Sequence, residues 1–219
     1  MVANMRYVAK EINIDANVCL GDVSDMKWNN TSEMFDRYGI INDTPEQADD
    51  IFEHWLRFAM MQIRTVHNNL IYVAGNHDDN RYINRDRLQE SVSEYDYTPE
   101  EMYSYYTSLA VNNKVLNPNN NTEYYVDYDS LKIRVICMNS NYYNKPNTSS
   151  YPYTNAWWYG FSDSTVSWVQ NVLNNVPSGW QVLILTHMSP EKLNNADNIE
   201  YRNMTAVKNV IQSFIDNGG

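Results

Sequence analysis

Cysteine, basic side chains, histidine and long apolar runs are all scarce in this sequence, and each scarcity closes off a class of protein. Two cysteines, Cys19 and Cys137, occur in 219 residues, so a disulfide scaffold is excluded as the source of stability. Both sit in apolar, strand-like runs and are expected to be buried thiols, with a disulfide between them the less favoured alternative. Lys and Arg number 16 against 27 Asp and Glu, a formal net charge of −11. That balance argues against a basic face for duplex nucleic acid. Bound cations can still reverse the field locally and admit phosphate. No apolar run is long enough to span a bilayer, which argues against a membrane, and no signal peptide is expected. With Met1 as the native start, a cytoplasmic setting is expected. The histidines are four: His54, His67, His77 and His187.

What remains is ordinary globular material. Apolar residues make up 43% and charged residues 20% of the chain, with 18 Tyr and 6 Trp. The length suits one domain, residues 1–219, with a sizeable core. Patterning predicts a short helix over Met5–Ile14 and a strand over Ala16–Leu20, then a polar loop over Asp22–Asp43. Thr44-Pro45-Glu46-Gln47 is a helix-start signal. The helix is expected to reach about Val66, with Ile51, Phe52, Trp55, Leu56, Ala59, Ile63 and Val66 as its apolar stripe. A strand follows over Leu70–Ala74. Asn80–Asn112 reads as an insertion carrying a second helix from Thr98-Pro99-Glu100-Glu101, which packs through Met102, Tyr105, Tyr106 and Leu109. Asn117–Asn121 reads as a turn, and Tyr124–Tyr128 with Leu131–Met138 as a hairpin. Ser162 caps a helix to about Asn174, with Val166, Val169, Val172 and Leu173 inward. A strand over Val182–Leu185 and a last helix over Asn203–Asp216 complete the pattern. That helix is apolar at Val207, Val210, Ile211, Phe214 and Ile215 and stops at Gly218-Gly219.

Three of these strands end in the same way. Ala16–Leu20 runs into Gly21-Asp22, with Asp25 three residues on. Leu70–Ala74 runs into Gly75-Asn76-His77-Asp78-Asp79. Val182–Leu185 runs into Thr186-His187. Ligands gather at the carboxyl ends of strands in layered α/β proteins, so the three tips are expected to converge.

In that order, Gly21-Asp22-x-x-Asp25, Gly75-Asn76-His77-Asp78 and Thr186-His187 resemble the calcineurin-like metallophosphoesterase family over about residues 5–217. The family pattern is D-x-H, GD-x-x-D, GNH-D/E, a lone His, then GHxH. The resemblance implies an α/β fold in four layers, two mixed sheets face to face with helices outside. It implies hydrolysis of a phosphomonoester or phosphodiester by metal-bound hydroxide, on a small-molecule or nucleotide substrate. Two cations about 3.5–4 Å apart can supply the nucleophile, neutralise the anion and stabilise the leaving oxygen. By the same resemblance Asp22 bridges the metals, Asn76 and His187 hold the second one, and His77 faces the phosphoryl or leaving oxygen. Asp78 orients and charges that imidazole, and Asp25 braces the loop. Oxygen ligands with imidazole suit Mn, Fe or Zn.

The sequence departs from the pattern at both ends: no Asp-x-His precedes Asp22 and no Gly-His-x-His follows His187. The expectation is a truncated core, incomplete at both ends, with a partial site and little or no activity of its own. The rival expectation is a phosphoesterase-like binding module that engages a glycan or protein through the aromatic loop 142–159. Its Tyr and Trp residues could equally be a small satellite core. Asp49, Asp50, Glu53 and His54 read as a solvated helix face, not as a metal site.

Overall fold

The computed structural model describes residues 2–23, 45–79, 97–141, 159–189 and 201–219. The chain is α/β. Helix α1 (Val2–Glu11) leads to strand β1 (Asn17–Cys19), and helix α2 (Pro45–Arg64) to strand β2 (Leu70–Tyr72). Helix α3 (Pro99–Tyr105) precedes strands β3 (Val115–Asn117), β4 (Asn120–Tyr128) and β5 (Ile133–Met138). Then come β6 (Tyr159–Gly160), α4 (Asp163–Asn174), β7 (Gln181–Thr186), β8 (Tyr201–Arg202) and α5 (Met204–Asp216).

Strands β3-β4-β5-β7 form the main sheet, antiparallel except for the parallel β5–β7 pair. Its two faces are buried by different elements. Along β5, Val135 and Cys137 join a core with β2, α2 and α3, while Ile136 and Met138 join a second core with α4 and α5. That alternation is the period-two geometry of a strand. Arg134, 5% exposed, holds α4 to the sheet. It forms a two-pronged ion pair with Asp127 (2.7 and 2.8 Å) and donates to the carbonyls of Val172 and Asn175 at the helix end.

Facing the main sheet is the parallel β1–β2 pair. An extended second mixed sheet, as the four-layer arrangement would have, is not seen among the described residues. Side chains and a loop amide occupy the outer edge of β2. The Tyr124 hydroxyl accepts from the Tyr72 amide (2.8 Å) and donates to the Tyr72 carbonyl (2.9 Å), as a neighbouring strand would. The Leu70 carbonyl accepts from Val111 N–H at 2.7 Å.

Several local expectations change. Among the described side chains of α2 the buried ones are Leu56 and Met60 with Ile63 beside them, the expected Ile51 and Phe52 lying outside the described side chains, and Trp55 is 49% exposed because it sits about 100° around the helix from Leu56. Of the expected insertion, residues 80–96 lie outside the described residues, and 97–111 pack into the core through Tyr97, Ala110 and Val111 together with the expected Met102 and Tyr106. The Thr98 capping box is formed. The turn expected over Asn117–Asn121 narrows to Pro118-Asn119, with Asn117 and Asn120 paired as strand residues. Thr165 and Trp168 join the inward face of α4, and Ile215 of α5 is exposed. Both cysteines are free thiols, Cys137 buried and Cys19 partly so.

Glu123 on β4 is fully buried and bonded to Asn117 Nδ2, Asn139 N–H and Thr165 Oγ1. Burial outweighs these donors and raises its pKa from 4.5 to about 7. A carboxyl that holds its proton more tightly when folded contributes stability in full below about pH 4.5, and loses it as pH rises through about 7. Glu123→Gln cannot ionise, so its stability deficit against wild type in urea should narrow between pH 5 and pH 8. Equal deficits at both would show that Glu123 does not titrate there. Tyr124→Phe strands the Tyr72 amide and carbonyl, and should cost about 2 kcal/mol in the same experiment.

Candidate active site

The strand tips Gly21-Asp22 and Gly75–Asp79 meet backbone to backbone. Gly21 (φ 89°) and Asp22 (φ 51°) are consecutive left-handed residues, which folds the chain sharply off β1. A Cβ on Gly21 would collide with the Gly75 amide and lie 2.9 Å from the Val73 carbonyl. One on Gly75 would collide with the Asp22 amide and carboxylate. Glycine is therefore required on both sides of the contact.

The sharp turn aims two successive amides at one carboxyl, that of Asp78. Its Oδ2 accepts from Asp22 N–H (3.0 Å), Gly75 N–H (2.8 Å) and the Tyr72 hydroxyl (2.7 Å), and its Oδ1 from Val23 N–H (2.8 Å). Asp78 is fully buried. Burial raises its pKa, and the Tyr72 and Gly75 donors pull it back. Tyr106, stacked on Tyr72, donates to the Asp78 carbonyl at 2.9 Å. These contacts make Asp78 a clamp between the loops, a part the sequence did not suggest.

The third tip closes on the first two. His187 Nδ1 lies 2.7 Å from the Leu20 carbonyl. A carbonyl only accepts, so Nδ1 carries a hydrogen, and Nε2, when unprotonated, presents a lone pair. Nε2 lies 3.0 Å from Asn76 Oδ1 and 3.4 Å from Asp22 Oδ2. With Nε2 unprotonated, acceptor oxygens from two other segments face its lone pair, and the Asn76 amide nitrogen is buried and without a partner. A positive centre among them removes their mutual repulsion: a proton on Nε2 or a cation. The donor set fits a divalent cation that prefers oxygen and imidazole.

The structure thus brings Asp22, Asn76 and His187 together. His77 is half-buried beside them, and its backbone amide donates to Asp22 Oδ1 at 3.2 Å. Asp25 and loop residues 142–158 lie outside the described residues. Among the described residues no group of three or more His, Cys, Asp or Glu converges. The convergent set is two such side chains and one amide. Burial pushes the Cys19 thiol up to about 11, so it is a neutral thiol at pH 7. His54 bonds the Asp50 carbonyl one turn back and Glu53 pairs with Arg57, as a solvated helix face would.

The family profile for calcineurin-like phosphoesterase matches residues 2–214. The chain belongs to the calcineurin-like phosphoesterase family. No curated protein matches the sequence. In this phosphoesterase chain the orienting carbonyl of Leu20, the Tyr72 hydroxyl, the clamping part of Asp78, and Asn141 behind Gly75 were not legible in the sequence. Each acts through backbone contacts between distant segments, and the available signal was only a polar or aromatic residue next to a motif.

Gly75→Ala should cost on the order of 3 kcal/mol in denaturant unfolding, because neither loop can withdraw without breaking the Asp78 bonds. A loss below about 0.5 kcal/mol would show that the loops separate freely.

Proposed function

We propose that this phosphoesterase domain is a metal-dependent catalytic core for phosphomonoesters or phosphodiesters, and that Asp22, Asn76 and His187 hold one divalent cation. The observation that supports it most directly is that Asn76 Oδ1 and Asp22 Oδ2 both lie within 3.4 Å of His187 Nε2 while the Leu20 carbonyl holds the ring through Nδ1. A bound Mn, Fe or Zn ion supplies positive charge for the phosphoryl oxygens and acidifies an attacking water. The chain's own residues do the rest. Asp22 offers one carboxylate oxygen to the cation and keeps the other on the His77 amide. His77 gives a proton to the leaving oxygen, a task suited to an imidazole at neutral pH. Asp78, assigned from the resemblance to orient His77, serves through the loop it clamps.

Titration of the purified chain with Mn(II) should give one ion per chain, with Asn76→Ala binding at least about tenfold more weakly. Turnover of p-nitrophenyl phosphate and bis(p-nitrophenyl) phosphate assigns monoester or diester preference. His77→Ala should lower that turnover about 100-fold while leaving Mn(II) binding intact. A wild-type chain that binds no Mn(II), or binding indifferent to Asn76→Ala, overturns the cation site.

A further inference from the structure

Asn139-Ser140-Asn141 ends β5 and carries no role in the family pattern. Because β5 and β7 are parallel with Met138 opposite Thr186, the two chains leave the sheet side by side, and 139–141 run along His187 and Met188. Ser140 is fully buried, and its Oγ accepts from the Met188 amide at 3.1 Å, one residue past His187. Asn141, 3% exposed, donates through Nδ2 to the carbonyls of Gly75 (2.9 Å) and Ala74 (3.2 Å), the two peptides before Asn76. Carbonyls only accept, so the amide nitrogen must face them, and Asn141 Oδ1 is left buried and unpaired. Asn141 is itself held, since its N–H donates to Asn139 Oδ1 at 2.9 Å. Asn139 is tied in turn to Glu123 and Thr122.

We propose that Ser140 and Asn141 are positioning residues that set Asn76 and His187 against each other for cation binding. This rests on the cation site proposed above. Asn76 follows β2 and His187 follows β7, so they leave different sheets. The donors to Asp78 all come from the β1–β2 side, whereas Ser140 and Asn141 join the His187 segment to the Asn76 segment. Small displacements of either ligand would open the three-acceptor cluster, so the two residues act on affinity. Contacts behind metal ligands typically change affinity by about 10- to 100-fold.

The test is Mn(II) titration of the full 219-residue chain, with free Mn(II) followed by electron paramagnetic resonance. Wild type, Ser140→Ala and Asn141→Ala are compared, and unfolding midpoints in EDTA establish that each is folded. Both variants are expected to bind about 10- to 100-fold more weakly than wild type at a temperature where all are folded. A lowered midpoint with unchanged Mn(II) affinity overturns the positioning role and leaves the cation site standing. If Asn141→Ala does not fold, Ser140→Ala, which loses a single oxygen, decides alone. A wild type without Mn(II) affinity removes the cation site itself, a different failure.

Discussion

The carboxyl of Asp78 seated in the Gly21-Asp22 turn is the constraint on which the site depends. Three backbone amides and a phenol converge on it from β1, β2 and their loops. Hydrogen bonds of this kind are worth about 1–3 kcal/mol each when their loss would leave buried donors unpaired. Two glycines let the backbones approach closely enough for the bonds to form. With the loops locked in this way, Asp22 and Asn76 come within reach of one histidine. The scaffold therefore spends a fully buried carboxyl on geometry and leaves the more exposed Asp22 facing His187.

Behind the loops, the sheet positions work at longer range. Strand β5 is buried on both faces and separates the two cores. Tyr124 reaches from the main sheet to stand in for a strand beside Tyr72, which holds β2 and its loop at a set depth. On the other side, the register of β5 and β7 brings Asn139-Ser140-Asn141 alongside His187. Ligands from different sheets are held by contacts that cross from one to the other.

Orientation of the last ligand comes from the first motif. The Leu20 carbonyl, immediately before Gly21-Asp22, fixes the hydrogen of His187 on Nδ1 and turns Nε2 toward Asn76 and Asp22. An imidazole so held suits the cation site proposed above, because the hydrogen bond on one nitrogen decides what the other can do. A positive centre among Nε2, Asn76 Oδ1 and Asp22 Oδ2 relieves the repulsion of these acceptors.

Much of this was legible in the chain itself. Strand runs followed at once by Gly-Asp, Gly-Asn-His-Asp and Thr-His marked the three tips, because local patterning and motif chemistry are short-range properties. Caps such as Ser162 and the Thr98 box were legible for the same reason. What the sequence could not decide was which groups meet. Whether Asp78 serves His77 or the Gly21 turn depends on amides 55 and 56 residues away. Trp55 faces out and Met60 in because α2 docks on a particular side. Residues 97–111 belong to the core because Val111 reaches the edge of β2. By itself the sequence determined the main helices and strands and the family, through periodicity and motif residues. Only tertiary structure decided the clamp, the tautomer and the bracing of β5, since each is a contact between segments that only packing brings together.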